Sequence, residues 1–206
     1  MGDPPLGDPA SPADRANRPP LDLAAVAPLC FGETELLGEG NYGLVADFTC
    51  CKRGQPENAY ERDVSDWLKD RGRDGAAEAI RLGKVEVGLH LDADRRVIGF
   101  AAIGPDEWHI GDRPPLAVWL LHYLGVHTGF RTQPGVAREQ RYGVRILSGA
   151  LAEMVRRGGA RFAALYVDPA NGDAIGLYLE FGFHHVDVWT DPEGGRPWVR
   201  MMKKLV

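Results

Sequence analysis

No stretch of this 206-residue chain reaches the roughly 18 consecutive apolar residues that a membrane-spanning helix needs. The most apolar segment, 116–126, is interrupted by His122 and followed by His127. Cysteine is scarce: Cys30, Cys50 and Cys51 are the three present. An odd number with two adjacent gives no disulfide framework, and no second pair stands at zinc-ligand spacing. No metal is therefore expected, and a reducing, cytoplasmic compartment fits best. Positive charge is not in surplus either. The 24 Lys and Arg against 29 Asp and Glu leave a net charge of −5, which argues against a dedicated nucleic-acid binder. There is no G-x-G-x-x-G after a first strand, so a dinucleotide-binding domain is excluded, and no internal repeat is found. The first twenty residues hold six prolines and almost nothing apolar. They predict a disordered tail over 1–20 and lack the apolar core of a secretory leader.

What remains is an ordinary globular mix, 44% hydrophobic and 26% charged, and it predicts a single domain over 21–206. Its charge is uneven. Residues 1–80 carry eight basic and fifteen acidic side chains, whereas residues 128–165 carry seven arginines and two glutamates. A local basic region inside an acidic protein suits a small anionic ligand, and it equally suits a solvated helix face.

Hydrophobic periodicity gives the element order. Residues 42–50 read as a first strand. Residues 57–70 form a helix with Tyr60, Val64, Trp67 and Leu68 on one face, and 73–82 form a second. Alternation over 84–91 and 96–103 about an Asp-Ala-Asp turn reads as a β-hairpin. A loop over 104–115 carries Trp108 and His109, which could border a substrate site but read better as an ordinary aromatic-bearing loop. A central apolar strand follows over 117–126, then a polar loop over 128–141. An amphipathic helix over 144–157 ends at Gly158-Gly159. A strand (160–167), a short helix (171–181) and two closing strands (183–188, 198–202) complete an α/β or α+β fold on a mixed sheet.

Two stretches carry chemistry. The first is the strand end from Leu121 to His127 followed by Gln140-Arg141-Tyr142-Gly143-Val144-Arg145 at a helix start. A helix start offers unpaired N–H groups and a positive dipole end, able to hold a pyrophosphate. Gly143 admits close approach, and Arg138, Arg141 and Arg145 add charge. One glycine before a helix is by itself an ordinary turn. The second stretch is Asn171-x-x-Ala174-x-x-x-Tyr178-x-x-x-Gly182-Phe183. Asn171 can cap the helix, and Ala174 and Tyr178 share a face.

Together these stretches resemble the GNAT superfamily of N-acetyltransferases. The family's Q/R-x-x-G-x-G/A loop is met as Gln140-x-x-Gly143-x-Arg145, with arginine in place of the final small residue. An insertion also lies within 132–139. The downstream N-x-x-A-x-x-x-Y/F-x-x-x-G-F pattern is met at every named position. The likeness spans about 84–203, with Gly38 to Leu82 supplying the family's variable first strand and helices.

The resemblance implies a mostly antiparallel central sheet flanked by helices. It implies acetyl-CoA as co-substrate and direct attack by a primary amine on a small molecule or a protein. Leu124 and Val126 would hold the pantetheine arm and polarise the acetyl carbonyl through their backbone. Gln140, Arg141, Tyr142, Gly143, Val144 and Arg145 would hold the pyrophosphate, with Asn171 completing the cofactor-contacting set. Tyr178 stands where the family has its general acid; the alternative is a packing tyrosine. His122 to His127 resembles the corresponding strand of arylalkylamine N-acetyltransferases, which would make His122 a proton acceptor; a core histidine is the equal alternative. His122 is expected to share a strand face with Leu124 and Val126. Pairing into homodimers is common among the relatives. Other versions stay open: a toxin-type enzyme acting on charged tRNA, or a non-catalytic acyl-CoA-binding module with a site altered at Arg145.

Overall fold

A computed structural model describes residues 20–51, 58–131, 135–192 and 194–205. The proposed tail, most of the 132–139 insertion's first half and part of the turn at Glu193 lie outside the described residues. Seven strands form one sheet: β1 (Glu35–Leu36), β2 (Glu86–Leu91), β3 (Val97–Trp108), β4 (Leu116–Val126), β5 (Phe162–Val167), β6 (His184–Thr190) and β7 (Pro197–Lys204). Their order is β1-β2-β3-β4-β5-β7-β6, antiparallel throughout except for β4 beside β5. The helices are α1 (Ala59–Lys69), α2 (Ala76–Arg81), the single turn α3 (Thr128–Arg131), α4 (Tyr142–Arg157) and α5 (Gly172–Glu180).

Two expectations are corrected. Residues 42–50 are not a strand: a 3-10 helix runs over Glu39–Val45. Tyr42, Val45 and Phe48 are buried three residues apart, which is the repeat of a 3-10 helix rather than the alternation of a strand. The Tyr42 hydroxyl lies 3.0 Å from the carbonyl oxygens of both Leu68 and Asp70 and ties this segment to the end of α1. Nor is 104–108 a loop. β3 continues through it to Trp108, which pairs with Leu116 and is buried. The polar residues Asp106 and Glu107 hid the continuation, because that end of the strand faces solvent.

The two sheet faces carry separate cores. On one, α4 and α5 cover Ala101, Ile103, Leu121, Ala163, Leu165 and Met201. On the other, α1, α2 and the 3-10 segment cover Val85, Val87, Leu89, Phe100 and Ala102. A smaller cluster, Trp108, Val118, Leu120 and Ala164, continues the second face toward β5. Residues 21–31 strap across α4 and bury Leu21, Val26 and Phe31 in the first core. The Leu29 N–H donates to the Arg145 carbonyl at 3.0 Å.

The strap needs a glycine beneath it. A Cβ at Gly149 would stand 1.8 Å from the Leu29 carbonyl oxygen. In an unencumbered helix Gly→Ala stabilises by up to about 1 kcal/mol. Here Gly149→Ala is expected to destabilise by about 2 kcal/mol through forced displacement of backbone, lowering Tm by roughly 4–8 °C. A thermal melt that moved upward would show the strap not to be seated there.

Candidate active site

The site begins where β4 and β5 part. Their parallel ladder holds for three pairs, Trp119↔Ala163, Leu120↔Ala164 and Leu121↔Leu165. Beyond it β4 runs on to Val126 and β5 to Val167 without pairing to each other. The cause lies on the other edge of β4. Ala102 pairs with Tyr123 and Ile103 with Leu121, so His122 is an extra residue in the strand. Such a bulge bends the strand and increases its twist, turning the last five residues of β4 away from β5.

The parting exposes backbone. His127 N–H donates to the Ile98 carbonyl of the β3 side at 2.8 Å. N–H direction alternates along a strand, so the N–H and C=O of Leu124 and Val126 face the opened β5 side. A ligand carrying amides could add there as a short strand.

The start of α4 lies beside this edge. A Cβ on Gly143 would be 3.7 Å from Val126 Cγ2. Arg141, the N-cap, gives no side-chain cap. Its own N–H is satisfied by Arg138 O and that of Arg145 by Arg141 O. The N–H groups of Gly143 and Val144 lie in the first turn, where a helix start leaves donors without intrahelical acceptors. Gln140 and Arg141 are exposed on the same turn.

The basic region around this turn is largely committed. Arg138 pairs with Glu180 at 2.5 Å and ties the turn before α4 to the end of α5. Arg145 donates through Nε to the Ala27 carbonyl at 2.9 Å, so it braces the strap. Arg131 pairs with the buried Glu61 and donates to Cys50 O at 2.5 Å. Arg156 and Arg157 bind Glu153, and Arg157 also binds Glu86. Arg141 has no partner among the described residues. The cluster of arginines seen in the sequence therefore leaves Arg141 as the cation available at the helix start.

α5 supplies the third wall. Asn171 Oδ1 accepts from Ala174 N at 3.2 Å, so its side chain is a helix cap. Gly182, at φ +81°, ends the helix, and Phe183 N–H returns to Tyr178 O at 3.0 Å. Tyr178 meets Phe183 edge-on at 5.7 Å and joins the core containing Leu124 and Val126. Burial pushes its phenol up to about 12, so it is protonated at neutral pH. Its hydroxyl has no hydrogen bond among the described residues.

His122 stands apart from this group. Leu121 and Leu124, three residues apart, both pack on the α4 face. The bulge between them turns His122 and Tyr123 to the opposite face, where Tyr123 joins the second core. The expected common face with Leu124 and Val126 is thus corrected. Gly104 makes room for the ring: a Cβ there would be 3.2 Å from His122 Nε2. That nitrogen is buried without a partner among the described residues, as is Nε2 of His90 on β2. Burial pulls both imidazoles from 6.5 to about 4. His122 is therefore held neutral rather than poised near pH 7.

Tyr123 and its neighbours gave no motif in the sequence. Tyr123 stacks on Trp67 with centroids 4.1 Å apart. Beside it Arg196, from the β6–β7 turn, binds Asp63 of α1 and Asp168 at the end of β5. The partners lie 28 and 133 residues from Arg196, a separation that no local pattern reports.

The two buried histidines predict a pH dependence. Their folded-state values lie below the unfolded one, so the unfolded chain takes up protons first as pH falls. Their stabilising contribution is complete above about pH 6.5 and drains away toward pH 4. Between those limits His122→Gln is expected to remove up to one proton's slope, about 1.4 kcal/mol per pH unit, from the pH dependence of unfolding free energy. Urea titrations at several pH values measure it. An unchanged slope would mean that the ring is solvated.

No protein-family model matches this chain, and no curated protein matches it by sequence. Solved structures do. The chain is similar to a bacterial toxin at 16% identity and TM-score 0.54, covering 84% of this chain and 92% of that one. It is similar to a mutant AtaT toxin bound to the C-terminus of the antitoxin AtaR, at 13% identity and TM-score 0.53, covering 80% and 89%. It is also similar to the ribosomal-protein-S18-alanine N-acetyltransferase of Escherichia coli, at 13% identity and TM-score 0.50, covering 84% and 94%. At such identities the likeness speaks for the fold. With the strand order and the parted β4 and β5, it gives this chain the GNAT, acyl-CoA N-acyltransferase fold.

Proposed function

We propose that this protein is an N-acetyltransferase that moves the acetyl group of acetyl-CoA to a primary amine by direct attack. The observation that carries the reading is the free edge of β4 opening beside the uncapped start of α4. When bound, acetyl-CoA supplies an activated acetyl thioester. The residues fit such a molecule along its length. Leu124 and Val126 present strand N–H and C=O groups to the amides of the pantetheine arm. Gly143 and Val144, in the uncapped first turn beginning at Tyr142, offer N–H groups to the pyrophosphate, and Arg141 adds a charge. Arg145, braced on the strap, leaves the anion's place clear.

The chemistry assigned to the chain's own residues follows from their surroundings. The backbone N–H groups of β4 polarise the carbonyl under attack and hold reactants in line. Tyr178, kept protonated by burial, donates a hydrogen bond to the departing sulfur. His122, neutral and on the opposite face, accepts a proton from the incoming ammonium. Its basicity, lowered by burial, is too weak to keep the proton, which is released to bulk water.

Calorimetry with acetyl-CoA is the test. Micromolar binding by the wild type, lost in Gly143→Trp, is expected. Tyr178→Phe should then lower kcat by about a hundredfold with little change in KM for acetyl-CoA. No binding by a folded wild type would contradict the reading and favour a fold whose site no longer works. Binding without turnover across an amine panel would favour the non-catalytic module.

A toxin-type version of the same reaction is favoured by one observation, the fold likeness to two toxins. It predicts growth arrest on induced expression that Tyr178→Phe relieves. Unimpeded growth with soluble, active protein would discard it.

A further inference from the structure

The apolar stripe of α4 is wider than the core that covers it. Leu147, Leu151 and Met154 are buried, yet Val155, on the same stripe, is 46% exposed. Ala152, one turn before it, is exposed as well. Facing this flank of the helix are the end of β7 and the residue after it, Lys203, Lys204 and Leu205. Between the two lies an open cleft of about 390 Å³, with the buried Leu151 and Leu205 at its base. The far wall is fixed by backbone. Lys203 and Lys204 pair with Ala163 and Phe162 of β5, and the Leu205 N–H donates to the Arg161 carbonyl at 2.8 Å.

This is the pole of the sheet where β5 starts. The parted edge lies at the other pole, where β5 ends at Val167, about 16 Å further along the strand. The cleft also differs from the rest of the molecule in charge. The chain carries a net charge of −5, but the cleft is lined by two lysines and no carboxylate. Neither lysine has an ion-pair partner among the described residues. The acidic side chains of the adjoining helices are already neutralised, Glu153 by Arg156 and Arg157 and Glu180 by Arg138. Lys203 reaches the end of α5, where its Nζ lies 3.2 Å from the place of a Cβ on Gly182.

An apolar cleft under unpaired ammonium groups suits a ligand that is apolar along its body and anionic at one end. The size points to a small molecule. Pockets for such ligands hold roughly 300–1,000 Å³. Only six residues line this one, against roughly 20–30 a side in a stable protein interface. We propose that the cleft is a binding site for a carboxylate carried on an unbranched apolar chain. The chain lies on Ala152, Val155 and Leu205, the carboxylate meets Lys203, and Lys204 adds its field at the rim. The site is separate from the parted strand edge and independent of the acetyltransferase reading.

Calorimetry on the full chain with hexanoate, octanoate and decanoate tests this, with octanol and octylamine as neutral and cationic controls. Affinity should rise about tenfold for each two carbons added. Octanoate should bind at least fivefold more tightly than octanol, and octylamine should not bind detectably. Lys203→Gln should bring octanoate down to the level of octanol. Val155→Asp, at an exposed helix position, should weaken octanoate at least tenfold with an unchanged melting temperature, and it keeps the test decisive if Lys203→Gln does not fold. Amide NMR shifts on adding octanoate should be confined to 151–155 and 203–205. Affinity that ignores chain length, or equal binding of octanoate and octylamine, would overturn the proposal. So would octanoate shifts at Leu124 and Val126, which would put the ligand on the parted strand edge. Binding to phosphatidylglycerol vesicles by a protein that ignores all three carboxylates would make the patch a membrane contact and overturn it too.

Discussion

One extra residue in a central strand governs the site. His122 has no opposite number on β3, and the bend it imposes ends the β4–β5 ladder after three pairs. Each strand is otherwise secured on its far edge, β4 by β3 and β5 by β7. The sheet therefore stays intact while its middle opens. Opening a sheet internally leaves backbone donors and acceptors without partners, which costs free energy unless something fills the gap. The bulge thus creates both the opening and its demand for a strand-like ligand. It also flips side chains: Leu124 and Val126 return to the α4 face, while His122 and Tyr123 turn to the other.

That flip makes the site two-sided. The α4 face offers N–H groups, a single uncommitted arginine and a phenol kept protonated. The opposite face offers a neutral imidazole, stacked aromatic rings and carboxylates bound to Arg196.

Much of the fold was legible in the sequence because its elements have clean periods. The long helix, the start of the hairpin at 84–103 and the Asn171 to Phe183 segment are local patterns, and each begins within about two residues of its expected place. The failures share a different cause. Residues 42–50 repeat every three residues, a period that a strand search reads as alternation with noise. The end of β3 is polar because it is solvated, so composition mimicked a loop. The arginines of 128–165 looked free, yet their partners Glu61, Glu86 and Glu180 are distant in sequence. His122 was assigned the wrong face because a bulge leaves no mark in the alternation of one strand; it exists only in the register of two. The Arg196 cluster was invisible for the same reason.

The central claim is that the backbone freed by the β4–β5 parting binds acetyl-CoA together with the start of α4. Amide hydrogen exchange, measured with and without acetyl-CoA, reads those groups directly. The account predicts slowed exchange at Leu124 and Val126 and at Tyr142 to Val144, with β6 and β7 unchanged. Slowing elsewhere, with these five amides unaltered, would contradict it.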